Sequence, residues 1–129
     1  MDSIERSGKG FAESLVLSWD QHIFRDPLQK VSVTFMSSAN RADPQIELIE
    51  PAGEDSPVRS FLSKGGGLHH LCYEVRNLEA QLELSRSQGG KLVRAPMPAV
   101  AFDGRRIAWV YAKEKLLIEF LESVKQTNL

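Results

Sequence analysis

Gly65-Gly66-Gly67-Leu68-His69-His70-Leu71-Cys72-Tyr73-Glu74-Val75 couples three glycines to an apolar, β-prone run that opens with two adjacent histidines. Successive strand side chains point to opposite faces, so a strand over 68–75 sends one of His69 and His70 toward whatever the sheet encloses and the other away. Leu116-Leu117-Ile118-Glu119-Phe120-Leu121-Glu122 supplies Glu119 in a second alternating run. An imidazole and a carboxylate on such strands read as a metal or acid–base site. Cys72, inside the same apolar run, is expected to be a buried and inert thiol.

Downstream of this stretch, Asn77 is placed to cap a helix whose apolar stripe is Leu78, Leu82 and Leu84 and whose end is marked by Gly89-Gly90. Residues 91–94 read as a short strand and 95–98 as a proline-broken loop. Residues 107–111 and 116–121 read as strands joined by the charged turn Lys113-Glu114-Lys115. The second half is therefore strand, helix, then three strands. Upstream, Ser56 and Pro57 read as the cap and first position of a short helix carrying Val58, Phe61 and Leu62. Residues 31–35 and 45–50 alternate with period two, and residues 15–24 are rich in β-formers until Arg25-Asp26-Pro27 interrupts them. The opening decapeptide is polar and lacks a period, so it reads as frayed or as a helical remnant. The first half thus looks like the second with its beginning removed. The acidic alternation shared by 45–50 and 117–122 supports a duplicated unit.

The whole sequence has 129 residues and a formal net charge of -1, with 42% hydrophobic and 26% charged residues. That composition fits one globular domain and carries no basic excess for nucleic acid. No apolar run reaches membrane-spanning length, and Met1-Asp2-Ser3-Ile4-Glu5-Arg6 lacks a signal-peptide core. A cytoplasmic location is expected, with no membrane partner. The single cysteine rules out an internal disulfide.

Taken in order, Ile46-Glu47-Leu48-Ile49-Glu50-Pro51, Asp55-Ser56-Pro57-Val58, Phe61-Leu62, Gly66-Gly67-Leu68-His69-His70-Leu71, Glu74-Val75 and Leu117-Ile118-Glu119 resemble the vicinal oxygen chelate superfamily. Within it they resemble the branch of methylmalonyl-CoA epimerase and glyoxalase-like proteins. The resemblance covers residues 27 to 122 and implies an α+β fold of paired βαβββ modules with curled antiparallel sheets. An N-terminally truncated first module would occupy 11–51, a connecting helix and glycine-rich loop 52–67, and a complete second module 68–122. It further implies a divalent metal ion (Zn, Co, Ni, Mn or Mg) held by Glu47, His70 and Glu119 in a cavity between the modules. The family's opening strand, which brings a further histidine, would precede residue 1. His22 is the one conceivable replacement, although a surface or edge-strand histidine is the plainer account of it.

In the epimerase branch, glutamates move a proton on the carbon next to a thioester carbonyl, so the resemblance implies that Glu119 serves as both ligand and base. The partner acid/base falls by motif near Val33, which cannot transfer a proton. Two functions follow. One is a metal-dependent isomerase or lyase acting on a small acyl or thiol-derived molecule. The other is non-catalytic binding or sequestration of a small molecule, as in bleomycin resistance. Retention of three ligand positions favours the enzyme, whereas the absent histidine and Val33 favour the binder. Arg105 and Arg106 either meet an anionic ligand group or form a solvated turn, and Gln29 either lines the cavity or ends a turn. A sheet lacking its opening strand exposes an edge, so a homodimer is expected unless residues 1–14 fold over the gap.

Overall fold

Ser3 starts the first helix by accepting the Arg6 N–H on its Oγ at 3.2 Å, which satisfies one of the amide groups that a helix N-terminus leaves unpaired. In the computed structural model, which describes residues 1–124, this helix is α1 (Ile4–Leu15). The polar opening is therefore ordered helix, and the strand expected over 15–24 is absent. Gly8 and Gly10 hid the helical spacing of Ile4, Gly8, Ala12 and Leu15. Gly8 is there for space: a Cβ at that position would lie 2.5 Å from Cη2 of Trp19. The helix closes with the Leu17 N–H donating to the Ala12 carbonyl at 2.8 Å and Val16 in the left-handed region at φ 56°. Glycine normally fills that closing position, and a β-branched residue there is strained. From there the chain makes a single bridge, Ser18 to Ser37, before the first strand.

Strands β1 (Phe24–Asp26), β2 (Val31–Met36) and β3 (Ile46–Pro51) form an antiparallel sheet in sequence order. Asp26 shapes the β1–β2 turn, because its buried carboxylate accepts the Leu28 and Gln29 N–H groups and the Gln29 side-chain amide. Gln29 thus ends a turn. Helix α1 covers this sheet, with Ile4, Met36 and Leu48 buried against Ala12, Leu17 and Trp19. The buried Thr34 hydroxyl accepts the Trp19 Nε1–H at 2.7 Å and donates to the His22 carbonyl at 2.6 Å. At the β3 side, the Met1 amino group donates to the Ile49 carbonyl and the Ile4 N–H to Glu50 Oε2. Helix α2 (Val58–Ser63) follows, capped one residue later than expected, at Pro57. This unit runs from Met1 to Gly67, and the next begins at Leu68.

The second unit holds β4 (Leu71–Val75), α3 (Leu78–Ser87), β5 (Lys91–Pro98), a 3-10 turn (Val100–Phe102), β6 (Arg106–Tyr111) and β7 (Leu117–Glu122). Its sheet order is β4-β7-β6-β5, with β4 parallel to β7 and the other pairs antiparallel. Asn77 caps α3 as expected, its Oδ1 accepting the Ala80 N–H at 3.0 Å. Gly90 lets β5 leave α3 closely, since a Cβ there would sit 2.9 Å from the Ser85 carbonyl oxygen. One face of the sheet carries the helix: Leu78 and Leu82 of α3 pack on Ala108, Val110, Ile118 and Phe120. The expected loop at 95–98 is instead the end of β5, which tolerates Pro96 and Pro98 because it is an edge strand with shifted register. Both units are thus α+β, a sheet with a helix laid on it, as the resemblance implied. No helix among the described residues is long and apolar enough to cross a membrane.

Two substitutions test these local accounts in thermal or denaturant unfolding. Gly8→Ala should destabilise the protein by roughly 1–3 kcal/mol through overpacking against Trp19. Val16→Gly should stabilise it by about 1 kcal/mol by relieving left-handed strain at an exposed position; an unchanged midpoint in either variant contradicts the corresponding account.

Candidate active site on the second sheet

On β6 and β7 the residues opposite α3 are those that alternate with its packing partners. The register Ile107↔Leu121, Trp109↔Glu119 and Tyr111↔Leu117 puts all six on the face away from α3, where Ile107 and Leu121 are buried with Ala99. The parallel pairing of β4 with β7 adds Cys72 beside Glu119. His70 lies just ahead of β4. Its Nε2 is 3.8 Å from Glu119 Oε1, both side chains are almost fully buried, and its ring centroid is 4.7 Å from that of Trp109 at an interplanar angle of 79°.

His69 does not point the other way. Its Nδ1 is 3.0 Å from the Nδ1 of His70, and its ring also faces Trp109 at 6.2 Å. Strand alternation fails here because regular β4 begins only at Leu71, after Gly65, Gly66 and Gly67 have all taken positive φ. Such angles cost glycine little and other residues much. Cys72 also departs from expectation, being exposed on β4 at the sheet edge where a buried thiol was expected.

Burial holds His70 neutral: desolvation first, and then the neighbouring His69, push its pKa down from 6.5 to about 4. His69 is lowered too, mainly by burial. The Nδ1–Nδ1 contact couples their tautomers, because one ring must donate and the other accept. If His69 donates, His70 carries its proton on Nε2 and presents it toward Glu119. The opposite tautomer turns a bare Nε2 lone pair toward the carboxylate, which is the form a metal ligand takes. At 3.8 Å the pair is beyond direct hydrogen-bond range.

The two arginines are engaged within the unit. Arg105 donates from Nε to the Glu122 carbonyl at 2.9 Å and pairs with Glu74 at 3.1 Å. Arg106 pairs with Glu79 at 2.7 Å and with Glu122, which raises its pKa further and lowers that of Glu79. Neither the ligand clamp nor the purely solvated turn describes them; they tie β6 to α3, β4 and β7. Of the three expected metal ligands, the structure brings His70 and Glu119 together. Glu47 stands on β3 of the first unit, opposite Phe35. Val33 is buried on β2, opposite Phe24 and Ile49, and His22 is an exposed residue stacked on Phe24 at 4.2 Å.

Residues 1–109 match the profile of the Glyoxalase/Bleomycin resistance protein/Dioxygenase superfamily. The chain belongs to that superfamily. The ethylmalonyl-CoA/methylmalonyl-CoA epimerase of Cereibacter sphaeroides is 32% identical over 91 residues, which is 69% of this chain and 66% of that protein. Human mitochondrial methylmalonyl-CoA epimerase is 45% identical over 56 residues, 42% of this chain and 30% of the relative. The matches thus span no more than about two thirds of these curated relatives. The crystal structure of methylmalonyl-CoA epimerase from Mycobacterium tuberculosis superimposes with a TM-score of 0.81 at 25% identity, covering 98% of this chain and 84% of that one.

A pH titration checks the electrostatics of the superfamily member as it stands, without added metal. Between pH 6.5 and about 4 the unfolded chain protonates position 70 while the folded protein does not, so stability should fall as pH drops through that window and this loss should end below about 4. The contribution is at most about 3 kcal/mol. His70→Gln should lack it in pH-dependent denaturation, and an imidazole titrating near 6.5 by NMR would contradict the buried neutral assignment.

Proposed function

We propose that this protein binds a small acyl thioester on the His70–Glu119 face and moves a proton on the carbon next to the thioester carbonyl, as an isomerase of the epimerase branch. One observation carries the reading: a neutral imidazole nitrogen stands 3.8 Å from a buried carboxylate oxygen on the sheet face that α3 leaves open. The relatives named above as methylmalonyl-CoA and ethylmalonyl-CoA epimerases support the substrate class.

The donor chemistry of the pair fits a divalent cation, because a neutral imidazole and a carboxylate are the ligand types that borderline ions accept. His70 and Glu119 would hold it. Among the described residues no three His, Cys, Asp or Glu side chains gather into a metal-holding group, and the assignment of Glu47 as a further donor rests on its motif. When bound, such an ion supplies electrostatic stabilisation for charge developing on a carbonyl oxygen. The chain's own part is to orient and to exchange protons. Glu119 takes the proton from the carbon, Trp109 walls the site beside His70, and His69 fixes which nitrogen of His70 carries hydrogen.

Incubation with methylmalonyl-CoA in D2O, with cobalt(II) added, should show loss of the α-proton signal by NMR. Glu119→Gln should slow that exchange by about 10²–10⁴-fold. Elemental analysis of protein purified without chelator should find stoichiometric metal that disappears in His70→Ala. Tight binding of the thioester with no exchange at any metal concentration would refute the catalytic reading and leave a ligand-sequestering protein.

A further inference from the structure

The face of the second sheet away from α3 extends one strand beyond Trp109. In β5 the register partner of Trp109 is Arg94, and that of Tyr111 is Lys91. A row of side chains therefore crosses the sheet from Cys72 on β4 through Glu119 and Trp109 to Arg94.

Regular pairing would not have put Arg94 there. Leu92 pairs with Val110, so an unbroken ladder would set Val93 opposite Trp109; the register instead shifts between Leu92 and Arg94 and again between Arg94 and Met97. Bulges of this kind bend a strand and re-aim a side chain. Here one shift on each side singles out the arginine, in the row that holds Glu119, and Arg94 is exposed to incoming ligand.

Resting on the thioester reading above, we infer that Arg94 is a specificity-determining residue that receives an anionic oxygen group of the ligand while Glu119 works on the adjacent carbon. A guanidinium presents a planar fork of donors that matches a carboxylate or a phosphate. In an acyl-CoA that group has two sources, a carboxylate on the acyl part or the phosphates of the carrier. A malonyl-type acyl group has its second carboxylate bonded to the carbon that loses the proton. Arg94 and Glu119 share a row with Trp109 between them, so an arginine reaching along that row and the carboxylate would address two groups of one ligand.

Three probes separate the sources: methylmalonyl-CoA, propionyl-CoA, and the N-acetylcysteamine thioester of methylmalonate, which has the carboxylate but no phosphate. Calorimetric Kd and α-proton exchange are measured for wild type, Arg94→Met and Arg94→Lys, with circular dichroism to confirm folding. Arg94→Met should weaken methylmalonyl-CoA and the N-acetylcysteamine thioester by about 10–100-fold, mainly in Kd and KM with kcat nearly kept, and leave propionyl-CoA within a factor of three. Arg94→Lys should recover only part of the loss. Equal weakening of both CoA esters with none for the N-acetylcysteamine thioester assigns the anion to the carrier phosphates, keeping Arg94 as its receptor. Unchanged affinity for all three in a protein that binds and exchanges as wild type overturns the inference alone. A wild type that neither binds nor exchanges any probe overturns the thioester reading, and the inference falls with it.

Discussion

The parallel pairing of β4 with β7 is the constraint from which the candidate site follows. Parallel neighbours need a crossover, and α3 supplies it by packing Leu78 and Leu82 on one face of the sheet. That packing fixes which residues of β6 and β7 are core and which are left on the other face. Because β7 sits inside the sheet, between β4 and β6, Glu119 is flanked on both sides, by Cys72 and by Trp109. The glycine-rich turn before β4 then delivers His70 beside it. A one-residue slip of β7 would send Glu119 into the α3 core and Phe120 onto the open face, so the site and the hydrophobic core are specified by the same register.

Burial gives the pair its chemical character. An imidazole in water is a mixture of charged and neutral forms near pH 6.5, but the buried His70 is neutral there. A charged His70 would form an ion pair with Glu119 across their 3.8 Å separation. The neutral ring keeps a nitrogen whose tautomer His69 can set. The ion pairs of Arg105 and Arg106 lie elsewhere, where they join β6 to β4, β7 and the first turn of α3. Their partial exposure means that these pairs contribute little stability each, and their effect is to fix position.

Much of this was legible in the sequence where local rules and tertiary needs agree. Asn77 and Gly89-Gly90 bracket α3, the alternation of 107–111 and 117–122 marks β6 and β7, and His70 and Glu119 were recognisable from the motifs around them. The failures occur where one residue serves a distant neighbour. Gly8 reads locally as a helix breaker but makes room for Trp19, so α1 was not visible. The β-formers after Leu15 feed an irregular crossing whose Trp19 is anchored by Thr34, and no local period announces that. Cys72 sits in an apolar run yet on an edge strand, and edge position is a property of sheet order that alternation alone does not encode. The bulges of β5 were invisible for the same reason, with two prolines there reading as loop.

The two units also differ in a way that bears on chemistry. The first carries helix, then three strands, and the buried faces of its sheet are filled by Met36, Leu48 and Val33, with Thr34 and Asp26 satisfied internally. The second carries a strand ahead of its helix, and that strand is what brings an imidazole to a carboxylate. Proton transfer at a carbon needs a base, and it needs positive charge near the oxygen that becomes anionic. On the face away from α3 the second unit carries Glu119, the base proposed above, and its histidines are held below their ordinary pKa by burial. The cationic side chains on that face therefore enter from β5, through the register that sets Arg94 and Lys91 opposite Trp109 and Tyr111. In the proposed reading, an irregular edge strand, rather than the regular core of the sheet, is where positive charge reaches the site.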